Sequence, residues 1–94
     1  MVNKNILVIR KKLDLLDNKL LNIIKERSKL VDLVIKNKKY KKDIVDKKRI
    51  SKILKNISKK SKLKKIDPSI TKKIWTSMIR AFIAYEFKNF EKKK

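Results

Sequence analysis

Four arginines stand among the many lysines of this chain: Arg10, Arg27, Arg49 and Arg80. An arginine fork grips a carboxylate through two parallel hydrogen bonds, which the point charge of a lysine cannot reproduce. Arginine retained against so strong a lysine bias marks positions where the fork is wanted. Arg27 is the most informative, because it interrupts an apolar series of leucine, isoleucine and valine. A guanidinium facing a packed interior is costly unless an anion meets it. On position alone two readings stay open: a pocket for an anion, or an internal ion pair with Asp17 or Asp46. Histidine and cysteine are both absent, which removes imidazole bases, thiolate nucleophiles, the common metal ligands and disulfides. Chemistry here runs on carboxylates, ammonium and guanidinium groups, or on positioning alone. Neither a metal nor a cofactor is expected.

The elements that position these groups are helical. The chain has no glycine and one proline, Pro68, and tight hairpins need the positive φ that glycine supplies. The expected fold class is therefore all-α, in one domain spanning residues 1–94 with no internal repeat. Ile6, Ile9, Leu13, Leu16, Leu20, Ile23, Arg27, Leu30 and Val34 follow one another in alternating steps of three and four. That spacing is a heptad seam on one continuous helix. From about Lys4 to about Lys39 such a helix is on the order of 54 Å long, whereas a compact monomer of this size has a radius of gyration near ~12–13 Å. The seam calls for a second copy of the chain.

Lys41 to Val45 reads as a loop. Asp46 then reads as an N-cap, followed by Ile50, Ile53, Leu54 and Ile57 at helical spacing. This second helix is expected to fade in the run Ser58 to Lys65. Asp67-Pro68 restarts a helix, with aspartate as cap and proline in the first turn. The third helix turns Ile70, Ile74, Trp75, Met78, Ile79, Phe82 and Ile83 inward and frays near Glu91 to Lys94. The layout is a long, a short and a medium helix.

Geometry on these helices groups some of the candidates. Arg27 and Lys38 are eleven residues apart, about 20° of net rotation, so they project from one face. Arg10 lies roughly 100° away around the same axis and reaches that pocket more readily from a partner copy. Asp46 and Arg49 share the first turn of the second helix, where the helix dipole also favours an anion. Glu86 stands one turn beyond Phe82 on the apolar stripe; a salt bridge to a nearby lysine is its bland explanation.

The net charge of +21 invites a nucleic-acid reading. The lysines, however, lie along the whole chain in company with isoleucine and asparagine, the profile of A/T-biased codon usage. No specific nucleic-acid binding is expected, although the charge raises the local concentration of anionic substrates. The apolar run Ile6 to Ile9 is too short for a signal-peptide core, and no eighteen apolar residues run together. A soluble, cytoplasmic protein without membrane contact is expected.

The stretch Ile9-Arg10-Lys11-Lys12-Leu13-Asp14-Leu15-Leu16-Asp17-Asn18-Lys19-Leu20-Leu21 resembles the opening motif of the all-helical chorismate mutases. Glu26-Arg27-Ser28-Lys29-Leu30, Val34-Ile35-Lys36-Asn37-Lys38 and Val45-Asp46-Lys47-Lys48-Arg49 resemble the family's next three motifs, in order. The resemblance runs from about Ile6 to Phe90. It implies a three-helix protomer in an intertwined homodimer with two shared sites, acting on a dicarboxylate. By it, Arg27 and Lys38 bind substrate within one protomer, and Arg10 enters from the partner. Arg49 and the Asp46 backbone complete the wall, with Ile50 and Phe82 also lining it. Lys38 and Glu86 face the ether oxygen of chorismate as it rearranges to prephenate, a step of aromatic amino-acid biosynthesis. The chemistry is pericyclic and needs no covalent catalysis.

Two positions depart from the pattern. The mutases usually carry glutamate directly after the fourth-motif arginine, and here that residue is Ile50. An apolar residue there resembles the isochorismate pyruvate-lyase branch, which yields salicylate and pyruvate. The stretch from Met78 to Phe90 resembles that branch too. Glu86 stands where glutamine is common, and a glutamate donates a hydrogen bond only when protonated. The non-enzyme alternatives are a basic coiled-coil protein and a nucleic-acid binder. A coiled-coil spacer would prefer leucine or isoleucine at position 27.

Overall fold

The computed structural model describes residues 3–90, and among these every regular element is helical. Helix α1 runs Lys4–Asn37, α2 Lys47–Leu63 and α3 Pro68–Phe90. One turn of 3₁₀ helix, Lys41–Asp43, occupies part of the segment expected to be plain loop. The chain divides into two compact units between Val31 and Asp32. Each is described on its own.

The first unit is α1 up to Val31. Asn3 caps it, its Oδ1 accepting the Ile6 amide at 2.9 Å, which satisfies one of the orphan donors of the first turn. The seam is present as expected, but the single chain leaves it open. Leu13, Leu16, Leu20 and Ile23 are all more than half exposed, and Leu30 is 62% exposed.

In the second unit α2 and α3 pack against each other. Asp46 caps α2 as expected, its Oδ1 accepting the Arg49 amide at 3.0 Å. The helix, expected to fade within the run Ser58 to Lys65, ends inside that run, at Leu63, after persisting through most of its lysines. Lysine is a good helix former, and Ser61 is bonded on both sides. Its hydroxyl donates to the Ile57 carbonyl at 2.6 Å and meets Thr71 Oγ1 of α3 at 2.7 Å. Thr71 Oγ1 also lies within donating distance of the Pro68 carbonyl, at 3.3 Å. Both residues are buried, so the pair ties the end of α2 to the start of α3.

The turn between them is a Schellman motif. The Ile66 amide bonds the Ser61 carbonyl at 2.8 Å, and the Lys65 amide bonds that of Lys62 at 3.1 Å. Lys65 carries φ 60°, the left-handed conformation usually given to glycine. In a chain with no glycine a lysine holds it. Helix α3 then starts at Pro68, with Asp67 Oδ1 accepting the Ser69 amide at 2.9 Å. Those Ser69 hydrogen bonds, backbone first, hold the Asp67 carboxyl below its usual range.

On α3, Trp75, Met78, Ile79, Phe82 and Ile83 are half-buried as expected. Ile70 and Ile74 are not covered and stay about half exposed, at 53% and 52%. The expected fraying at Glu91 to Lys94 lies outside the described residues. No helix among the described residues is long and apolar enough to cross a membrane.

Candidate functional site

Lys38 follows directly on the last turn of α1, its amide still bonded to the Val34 carbonyl at 3.1 Å. Its side chain reaches across to α3. There Nζ lies 3.2 Å from Glu86 Oε1 and donates to the Ile44 carbonyl at 3.3 Å. Glu86 is 8% exposed, and Ile44 is buried at 3%. The loop after the 3₁₀ turn is thus anchored by Ile44, and its carbonyl aims at the ammonium. Sequence reasoning offered Glu86 either a catalytic place or a salt bridge to a lysine. The salt bridge is present, and its lysine is the candidate catalytic one.

Lys38 and Asp46 line one open concavity with Asp43, Val45, Lys42, Lys47 and Lys48. Arg49, Ile50 and Phe82 are not part of that lining. Arg49 is exposed, while Ile50 and Phe82 are half-buried. Arg10 and Arg27 belong to the first unit and are exposed in the single chain, like the seam leucines around them. A broader concavity lies elsewhere in the second unit, along the lysine face of α2.

Two contacts supporting the site were not read from the sequence. Tyr85, next to Glu86, donates its hydroxyl to Asp32 Oδ1 near the end of α1. That hydrogen bond is the main reason its phenol is raised above the ordinary value, with burial and the Asp32 charge adding to it. Lys41 of the 3₁₀ turn sits over the Phe87 ring, 5.9 Å from its centroid, a cation–π contact. The signal for the first was faint: an acid on α1 and a phenol beside Glu86, fifty-three residues apart. For Ile44 the signal was plainer, a lone isoleucine beside charged loop residues.

An ammonium held by two oxygen acceptors at the edge of a concavity can stabilise negative charge developing on a bound oxygen. Among the described residues no cluster of acids or other ligands suited to a metal ion occurs.

A family model described as chorismate mutase type II matches residues 9–87 of the chain. No curated protein and no solved structure gave a match. The matched span contains every candidate site residue, from Arg10 to Glu86.

Proposed function

The chain belongs to the chorismate mutase type II family, and on that premise we propose that it rearranges chorismate to prephenate. In that reaction the ether C–O bond breaks as a new C–C bond forms within one molecule, so atoms and electrons balance without a cofactor. The observation that carries the reading is the seating of Lys38 between Glu86 and the Ile44 carbonyl. The ammonium is the group that meets the ether oxygen as charge develops on it. Arg27 and Arg49 hold the carboxylates, the Asp46 backbone and Phe82 complete the wall, and Glu86 lies on the ether-oxygen side.

The site is completed by a second copy of the chain. The α1 seam is open in the single chain, and a homodimer that covers it also delivers Arg10 of the second copy to the pocket. Binding holds the substrate in a compact reactive conformer, an entropic contribution made before the bond-breaking step.

Ile50 favours a second reading. An apolar, half-buried residue in the first turn of α2 offers no acceptor to a substrate hydroxyl, which suits isochorismate pyruvate-lyase chemistry. The decisive experiment offers chorismate and isochorismate separately and identifies the products. Prephenate from chorismate supports the mutase, salicylate with pyruvate from isochorismate supports the lyase, and no product from either rejects both.

A further inference from the structure

The lysine excess is not evenly placed. From Lys47 to Ile66 the sequence holds ten cations and no acid, and the acids at either end are engaged: Asp46 and Asp67 cap helices on the Arg49 and Ser69 amides. The helical phase is more telling than the count. Lys48, Lys52, Lys55, Lys59 and Lys62 follow at steps of four and three, one stripe on one face, and all five are exposed. The stripe is about 21 Å long at 1.5 Å per residue. Like charges at these spacings destabilise a helix, so the stripe costs α2 some stability.

Two concavities lie on this stripe, and a third continues from the second over α3. The first holds Lys47, Lys48, Lys52, Lys55, Lys59 and Lys62 with Ser51 and Ser58. The second shares Ser51, Lys55 and Ser58 and adds Ser69 and Lys72 from α3. The third shares Ser69 and Lys72 and adds Lys73, Thr76, Ser77 and Arg80. No carboxylate lines any of them. Arg80, which the catalytic reading leaves without a role, stands at the far end.

We propose that this basic surface, from the α2 stripe over to Arg80, binds the phosphodiester backbone of nucleic acid without regard to sequence. Lysines and hydroxyls are donors to phosphate oxygens, and contacts to phosphate carry no sequence information. One strand presents a charge about every 3.4 Å of axis, so the stripe alone meets about six phosphates. A surface bent over two helices suits a polymer that can follow it better than a flat bilayer. Helices that lie in a membrane also insert an apolar face, and the apolar side of α2, from Ile50 to Ile57, is half-buried. This inference stands on the charge pattern and is independent of the catalytic reading.

The test is fluorescence anisotropy of the full chain with labelled oligonucleotides of unrelated sequences, single-stranded and duplex, over a salt series. Binding indifferent to sequence is expected, with log K falling against log salt at a slope of about −4 to −5, as roughly six phosphate contacts give. The triple variant Lys52→Gln, Lys55→Gln, Lys59→Gln should lose at least about tenfold in affinity and flatten the slope by about two. A variant of equal net charge, Lys11→Gln, Lys12→Gln, Lys19→Gln, should lose far less. Equal losses in the two variants would assign the effect to bulk charge and overturn the proposal. So would absence of binding, or binding to phosphatidylglycerol vesicles but not to oligonucleotides.

Discussion

Lys38 and Glu86, forty-eight residues apart in the chain, meet at 3.2 Å with the carboxylate side chain largely out of solvent. Neither is replaceable by itself. Lys38→Met leaves a buried carboxylate without its counter-charge, a loss of about 1–2 kcal/mol once the partial exposure of Lys38 is allowed for. On the proposed reaction the same change also removes the ammonium that meets the ether oxygen. It should lower kcat/KM for chorismate by at least about a hundredfold, or ~2.7 kcal/mol. Steady-state kinetics on variant shown to be folded by circular dichroism checks this, and turnover within a few-fold of normal would remove Lys38 from the mechanism.

Arg27 sits on the seam of α1 where its neighbours are apolar. Arg27→Lys keeps the charge and the helix but removes the two-pronged grip on a carboxylate. A fall in kcat/KM of at least about tenfold, ~1.4 kcal/mol, is expected with the thermal midpoint unchanged. Near-normal turnover would show that the fork has no substrate contact.

Tyr85 gives a stability difference with a defined pH sign. Its hydrogen bond to Asp32 raises the phenol above the ordinary value, which is near 10. The neutral phenol is the donor, so this stabilisation is complete below the unfolded-state value and is lost as pH climbs through the raised folded-state value. Tyr85→Phe should be less stable than the parent at neutral pH and equal to it in strong alkali. Urea unfolding of both proteins across that range decides it; a gap that persists in alkali would show that the bond is not its source.

Lys65 holds a left-handed conformation at φ 60°, which costs a residue with a Cβ about 1–2 kcal/mol. Glycine removes that strain but has more freedom to lose on folding. A net gain of about 0.5–1 kcal/mol is expected for Lys65→Gly, seen as a rise of roughly 3–6 °C in Tm. A lowered midpoint would mean that the turn is not strained.

What could be read from the sequence was local. The caps Asp46 and Asp67 each act within three residues, and the α1 seam is written in its spacing. The partner of Glu86 was not legible, because nothing local distinguishes one lysine from another forty-eight residues away. The end of α2 was legible only to within a run of eight residues: the helix persists as far as Leu63 with the help of a hydroxyl on α3. The turn at Lys65 was hidden by composition, since the usual glycine marker is missing. The lysine stripe shows only in helical phase, which a count over the chain discards.

The open seam of α1 and a net charge of +21 act against each other in solution. Two copies that cover each other's seams must overcome mutual repulsion, and dissolved ions weaken that repulsion. Pairing in the proposed homodimer should therefore tighten as ionic strength rises. Attachment to a phosphate chain responds in the opposite sense, because it is driven by release of counterions. If both proposals hold, dilute buffer favours the polyanion and concentrated buffer favours the twin.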